Sequence, residues 1–247
     1  MASTSKGLFG SSLARKYWMA ATGLFLCTFL VGHLLGNLQL FVTGEVGRQE
    51  FNEYGHFMTT FPLVKILSYL TYISILLHTV DGIMLASQNR AARPVGYVKE
   101  NQSVNASWAS RKMAFLGILT LLFLIIHMRS FWYEMHYGTS VREYTFFLGK
   151  EELVIKDLWT VTVTAFEDWK YTAFYVLAFL GLALHLSHGA KSAFQSMGIN
   201  HPKYTPMINK IMTAFAWLIP AGFIAVAIFL FIEQPAQDIV PLEYIVK

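Results

Sequence analysis

The chain has 247 residues, of which 55% are hydrophobic and 14% are charged, and its mean hydropathy is +0.45. These values exclude an ordinary soluble domain and predict an integral membrane protein. The net charge of +4 does not indicate nucleic-acid binding, because the basic residues gather at the ends of apolar segments. The single cysteine, Cys27, excludes an internal disulfide, a thiolate metal cluster and covalent haem attachment through CxxCH.

Five apolar segments follow one another along the chain, at about residues 17–42, 63–87, 113–133, 171–190 and 211–232. Each is close to the roughly 20 residues that a membrane-spanning helix needs. The sequence therefore predicts an all-α protein, a single domain over residues 1–247 that forms a bundle of five transmembrane helices. The N-terminus lacks a compact signal-peptide core, so the first segment is expected to remain as an anchored helix. After the third segment, the pattern VREYTFFLGKEELVIKDLW predicts a short amphipathic helix on the membrane surface.

The charged residues predict how these helices cross the membrane. With the N-terminus in the cytoplasm, the inner side holds most basic residues and one acid, Glu100, whereas the outer side holds most carboxylates, such as Glu53 and Asp157. By the positive-inside rule, the N-terminus is therefore cytoplasmic and the C-terminus is outside. The inner basic residues are Lys6, Arg15, Lys16, Arg90, Arg93, Lys99, Arg111, Lys112, Lys191, Lys203 and Lys210.

Four of the eight histidines, His33, His78, His127 and His185, fall one on each of the first four predicted helices. Counted from the inner basic residue at about 1.5 Å per residue, His33 and His127 lie about 25 and 22 Å deep. His78 and His185 lie about 18 and 9 Å deep by the same count. These depths predict two pairs, His33 with His127 and His78 with His185.

Two imidazoles from different helices suit the axial positions of a low-spin b-type haem, because each neutral ring gives one nitrogen lone pair to the iron. We therefore expect two haem b groups with these four histidines as iron ligands. His188 is expected to meet a haem propionate or water rather than iron. Small residues one turn from the ligands would leave space for the macrocycle. They are Gly36, Gly82 and Gly189 after the ligands, and Ser74 and Gly181 before them.

Other roles for the histidines remain open at this point. An intramembrane histidine can serve as an interhelical hydrogen-bond partner, and Gly32 with Gly36 forms a GxxxG packing motif. A proton or solute transporter could use the histidines as a relay, although the sequence has no inverted repeat or interrupted apolar segment. A b-type anchor of a hydrogenase or formate dehydrogenase is a further alternative.

The chain has five predicted spans, and each of the first four carries one of these histidines. This arrangement resembles the cytochrome b subunit of succinate:quinone oxidoreductases and fumarate reductases, in its single-chain dihaem form. The resemblance covers essentially the whole chain. It rests on GHLLGN around His33, LLHTVDG around His78, NASWASRKM leading to LIIHMRSFWY around His127, and HLSHGAKSAFQSMG from His185. Cytochromes b of the quinol:cytochrome c reductase kind differ, because they carry two histidines on each of two helices.

The resemblance implies a quinone-reactive, non-flavin subunit of respiratory complex II in a bacterial cytoplasmic membrane. A flavoprotein and an iron–sulfur subunit would bind its cytoplasmic face, menaquinone would be the substrate, and pairing of two complexes stays open. His78 and His185 would hold the haem nearer the iron–sulfur subunit, and His33 and His127 the distal one. Candidates for the propionates and the partner surface are Arg15, Lys16, Trp108, Ser110, Arg111 and Lys191.

The quinone is expected near the outer face, beside the distal haem. Glu53 is the first candidate for proton exchange with it, followed by His56 and Arg129, and Trp132 and His136 lie at the same end of the third helix. In some dihaem relatives a glutamate lies two residues before the fourth-helix ligand. Here that residue is Ala183, so a proton route through that position is not expected in this protein.

Overall fold

The computed structural model describes residues 12–92, 107–139, 141–148 and 151–237. Within them, five helical segments are long and apolar enough to cross a membrane, which confirms the predicted all-α, five-span, multi-pass architecture. The cations Lys6, Arg93 and Lys99, together with Glu100, lie outside the described residues. Helices α1 to α3 are Ser12–Asn37, Gly44–Thr60 and Pro62–Ala91. The last two spans are α8, Trp169–Ser196, and α9, Thr205–Glu233.

The third span is built from several helical pieces. A short helix α4, Trp108–Arg111, is capped by the Ser107 hydroxyl and precedes α5, Met113–His127. A π-helical turn, Met128–Tyr133, and α6, Glu134–Tyr137, complete the span. A π turn inserts an extra residue into the helical repeat and is often found at functional sites. It changes the direction in which residues after His127 point.

The spanning helices expose large apolar side chains, as lipid-facing helices do. Helix α3 shows this most clearly, since Leu63, Tyr69 and Leu76 are each about 60% exposed. At 30 residues α3 is longer than the predicted apolar segment, because the polar residues at its end continue the helix. Helical geometry depends on backbone hydrogen bonds, so a span extends beyond the apolar stretch that reveals it.

The amphipathic helix predicted for the segment after α6 was wrong, because this segment forms two strands. Strands β1, Glu143–Leu148, and β2, Glu151–Lys156, pair antiparallel with Tyr144 opposite Ile155. The stretch is rich in aromatic and β-branched residues, which favour strands, and only two residues separate the two strands. A helix does follow, α7 at Leu158–Glu167, and the Asp157 side chain caps its N-terminus.

Two compact units divide the described chain, and each of the five spans contributes one segment to each unit. The first unit comprises residues 12–30, 69–92, 107–121 and 181–218, and it contains His78 and His185. The second comprises residues 31–68, 122–139, 141–148, 151–180 and 219–237, and it contains His33 and His127. Each predicted histidine pair therefore lies within one unit.

Candidate functional site

The inner pair, His78 of α3 and His185 of α8, lies in the first unit with its ring centroids 6.3 Å apart and its ring planes at 73°. Nδ1 of His78 lies 3.2 Å from the carbonyl oxygen of Met19 and 3.3 Å from the hydroxyl of Thr22. A carbonyl oxygen can only accept, so this contact places the proton on Nδ1 and leaves the lone pair on Nε2. In the neutral ring of His78, Nε2 is therefore the nitrogen whose lone pair can bind a metal.

His185 has no comparable support for its ring. Its Nδ1 is buried and has no hydrogen-bond partner among the described residues. A buried polar nitrogen without a partner costs free energy, so an ordinary packing role does not explain this side chain.

Two glycines face the rings of the inner pair. A Cβ added at Gly23 of α1 would lie 3.1 Å from Cε1 of His78, and one added at Gly117 of α5 would lie 3.6 Å from Cε1 of His185. Each imidazole thus approaches a stretch of neighbouring backbone that carries no side chain. These two glycines were missed in the sequence, because they lie on different helices from the histidines they contact.

The glycines predicted to leave space for a macrocycle have other neighbours. Among the described residues, no neighbouring atom lies within 4 Å of a Cβ added at Gly181. Cβ atoms added at Gly36, Gly82 and Gly189 would lie 2.6, 3.5 and 3.1 Å from the side chains of Tyr54, Met19 and Met113, respectively. These glycines therefore allow close side-chain approach, and their proposed role beside a cofactor stays a prediction.

The outer pair, His33 of α1 and His127 of α5, lies in the second unit with its ring centroids 5.7 Å apart and its ring planes at 81°. Nδ1 of His127 lies 3.4 Å from the hydroxyl of Tyr175, which in turn accepts a hydrogen bond from Tyr171 at 2.8 Å. Asn37 donates to the carbonyl of His33 at 2.8 Å and lies 3.5 Å from its Nδ1. Tyr175 is 1% exposed, so its hydroxyl belongs to the interior of this unit.

Aromatic rings surround the outer pair. Phe223 lies 5.5 Å from His33, and Phe123 and Phe131 lie 5.6 and 5.3 Å from His127, measured between ring centroids. Such a lining excludes water and suits a flat, apolar group.

The spacing of both pairs fits two axial ligands on one metal. A metal–imidazole bond is about 2 Å long and the ring centre lies about 1 Å behind the nitrogen, so two imidazoles on opposite sides of one metal have centroids roughly 6 Å apart. The observed separations are 5.7 and 6.3 Å. Among the described residues, neither pair belongs to a group of three or more histidine, cysteine or carboxylate ligands. A low-spin, six-coordinate haem takes two donors from a protein.

Residues predicted to meet haem propionates or a partner lie in the first unit. His188 and Lys191 line one cavity of about 320 Å³. Arg15 has a buried Nη1 atom without a hydrogen-bond partner among the described residues. Trp108 and Arg111 of α4 are exposed. His188 and Lys191 thus line the same cavity. An anionic group would satisfy the Nη1 atom of Arg15.

The structure does not join the residues predicted for quinone chemistry. Glu53 of α2 accepts a hydrogen bond from Gln49 at 2.7 Å, whereas Arg129 pairs with Glu134 of its own span. No hydrogen bond or ion pair within the described part of the chain links Glu53, His56 and Arg129. Their assignment to a quinone site therefore stays a prediction.

The side chains of Trp132 and His136 stack within the third span, with ring centroids 4.7 Å apart and ring planes at 27°. The carbonyl of Trp132 also lies 2.8 Å from Nδ1 of His136. The stack begins in the π turn and ends in α6, so the altered helical repeat sets its position.

A buried ionic cluster fixes α2 to α7 and to the hairpin. Asp157, which is 1% exposed, accepts hydrogen bonds from Nη2 of Arg48 at 2.6 Å and from Asn52 and the Thr160 hydroxyl at 2.7 and 2.6 Å. Burial by itself would raise the pKa of Asp157, but the hydrogen bonds from Arg48, Thr160 and Asn52 outweigh it and lower the pKa below its ordinary value. This cluster is structural, and the sequence prediction treated Asp157 only as an outer acidic residue.

Glu167, at the end of α7, is a carboxylate that the sequence prediction did not select. Its Oε1 atom is buried without a hydrogen-bond partner among the described residues, and burial raises its pKa. A raised pKa makes this carboxyl group easier to protonate, so Glu167 joins Glu53 as a candidate for proton exchange.

Comparisons with protein-family models, with curated proteins and with solved structures gave no match to this chain.

Proposed function

We propose that this chain is the dihaem cytochrome b membrane subunit of a succinate:menaquinone oxidoreductase. It would pass electrons between an iron–sulfur subunit on the cytoplasmic face and menaquinone near the outer face. The observation that carries the proposal is the presence of two imidazole pairs, each from two different helices, with ring centroids 5.7 and 6.3 Å apart. The motifs that resemble the cytochrome b family support the choice of complex.

In this proposal His78 and His185 hold one haem b, and His33 and His127 hold the other. A haem b with two histidine ligands carries one electron at a time and has no open position for a substrate. Other groups of the chain contact Nδ1 of one ligand candidate in each pair. The Met19 carbonyl can only accept, so it holds the proton of His78 on Nδ1. The hydroxyl of Tyr175 lies 3.4 Å from Nδ1 of His127 and can donate or accept there.

The predicted orientation favours succinate oxidation. An electron that moves from the cytoplasmic to the outer surface gains up to about 2.3 kcal/mol per 100 mV of membrane potential. That gain helps an uphill transfer from succinate to menaquinone. Fumarate reduction by menaquinol is the alternative direction, and it would work against the same field unless protons compensate.

The test is a reduced-minus-oxidised spectrum of the complex purified through this subunit. Two low-spin haem b signals are expected, together with a flavoprotein partner. His185→Ala should remove one signal, whereas the matched variant His188→Ala should retain both. A purified complex without haem would refute the proposal and favour a transporter, and a nickel- or molybdenum-containing partner would point to a hydrogenase or formate dehydrogenase anchor.

A further inference from the structure

The cavity of about 320 Å³ lies at one end of the first unit, between the last turns of α8 and the first turns of α9. His188, Lys191 and Gln195 line it from α8, and Asn209 lines it from α9. Because α8 ends at Ser196 and α9 begins at Thr205, the cavity lies where two membrane spans end. It is therefore placed at the depth of lipid headgroups.

The cavity lies on a different face of α8 from the iron-ligand candidate. At 100° per residue, positions 188, 191 and 195 share one face of the helix, about 60–120° around the axis from His185. The cavity is therefore lined from a face of α8 beside the one that carries His185.

Lys191 lines the cavity, and no aspartate or glutamate is among the residues that line it. Lys191 takes part in no ion pair among the described residues. An anion in the cavity would therefore meet a lysine and no carboxylate in the wall.

The wall of the cavity also has an apolar part. Phe194 and Ile208 line it, and Met207 and Ile211 on the neighbouring turns of α9 are 55% and 52% exposed. A free inorganic anion would gain nothing from these side chains. A molecule with an anionic head and hydrocarbon chains would use both the polar and the apolar parts.

We propose that this cavity binds the phosphate group of an anionic phospholipid. Lys191 is the charge partner, Gln195 and Asn209 offer amide donors, and the acyl chains follow the exposed apolar residues of α9. This inference does not rest on the proposed haems, since it depends only on the cavity, its lysine and its position at the ends of two spans.

The test uses the intact complex purified in detergent and stripped of lipid, with native mass spectrometry to count retained lipids. Phosphatidylglycerol and phosphatidylcholine are added separately to the wild type and to Lys191→Gln. The matched control is Lys203→Gln, because Lys203 is exposed, lies 5.3 Å from the ring centroid of Tyr204 and does not line the cavity.

The wild type should retain phosphatidylglycerol in preference to phosphatidylcholine. Lys191→Gln should lower the retained phosphatidylglycerol by about fivefold, the expected effect of one lysine near a lipid surface, while Lys203→Gln should change it less than twofold. Equal retention of the two lipids by the wild type, or unchanged retention by Lys191→Gln, would overturn the proposal.

Three further outcomes would identify another occupant and also overturn it. Binding of inorganic phosphate in place of the lipid would indicate a site for free anions. Loss of a protein subunit from Lys191→Gln, with lipid retention unchanged, would indicate protein docking. A changed haem spectrum, again with lipid retention unchanged, would indicate a propionate contact. Because retained lipid is measured by mass, its result is separate from whether the complex carries haem.

Discussion

Replacement of Gly23 by alanine tests whether the inner histidine pair holds a metal. The added Cβ would lie 3.1 Å from Cε1 of His78, whereas carbon–carbon contacts are optimal at about 3.5–4.0 Å. The ring must therefore move by about 0.4 Å or more, which exceeds the tolerance of about 0.2 Å in metal–ligand distances. Alanine is the better helix former by about 1 kcal/mol, so the helix itself should not be weakened.

The matched control is Gly117→Ala, because its Cβ would lie at an ordinary contact distance of 3.6 Å from His185. Haem per polypeptide, measured as the pyridine haemochrome, should fall from two towards one in Gly23→Ala and stay unchanged in Gly117→Ala. The signal of the outer pair serves as an internal control for folding. Full haem content with unchanged midpoint potentials in Gly23→Ala would refute the assignment of the inner pair.

Three other predictions address the outer side. Tyr175→Phe removes the hydroxyl 3.4 Å from Nδ1 of His127, so a redox titration should shift one haem potential and leave the other unchanged; an equal shift of both would contradict this. Asp157→Asn removes a buried charge and should lower the free energy of unfolding by about 3 kcal/mol. Because the pKa of Asp157 is lowered in the folded state, its contribution is complete at neutral pH and is lost as the pH falls below about 4, so acid should reduce the thermal stability of the wild type more than that of Asp157→Asn. Glu167→Gln should slow menaquinone reduction more than Glu53→Gln, because Oε1 of Glu167 has no hydrogen-bond partner among the described residues whereas Glu53 accepts a hydrogen bond from Gln49; the reverse order in a quinone-reduction assay would favour Glu53 as the proton donor.

The order of the four histidines in depth could be counted from the sequence, and separating the outer two from the inner two predicted the partners. A helix rises by a fixed distance per residue, so counting from the basic residue at the membrane edge gives a usable depth. The structure places His33 beside His127 and His78 beside His185, as that count predicts.

The contacts around the histidines could not be predicted in the same way. Which residue of a neighbouring helix meets a given ring depends on how each helix is rotated about its axis, and a count along one helix carries no such information. Gly23, Gly117 and the Met19 carbonyl were missed for this reason. Tyr175 was missed as well, although it lies in an aromatic series with Tyr171 and Phe179 at intervals of four residues.

The hairpin was missed because its residues satisfy two patterns at once. The segment between the third and fourth spans mixes apolar and charged residues, which suits a surface helix, but many of its apolar residues are aromatic or β-branched. In the structure, β2 packs against α2, and Asp157 joins the end of β2 to Arg48 of α2. Contacts with a distant part of the chain accompany the strand conformation, and the local pattern does not contain them.

A different kind of group contacts Nδ1 of a histidine in each pair, and this difference determines how each site responds to substitution of a neighbouring residue. Nδ1 of His78 contacts a backbone carbonyl, which no substitution at Met19 removes, whereas Nδ1 of His127 contacts the side-chain hydroxyl of Tyr175, which a single substitution removes. Hydrogen bonds to a ligand imidazole alter its basicity and hence the redox potential of the metal. Under the proposed function, a single residue therefore adjusts the site nearer the quinone, while the backbone keeps the site nearer the iron–sulfur partner constant.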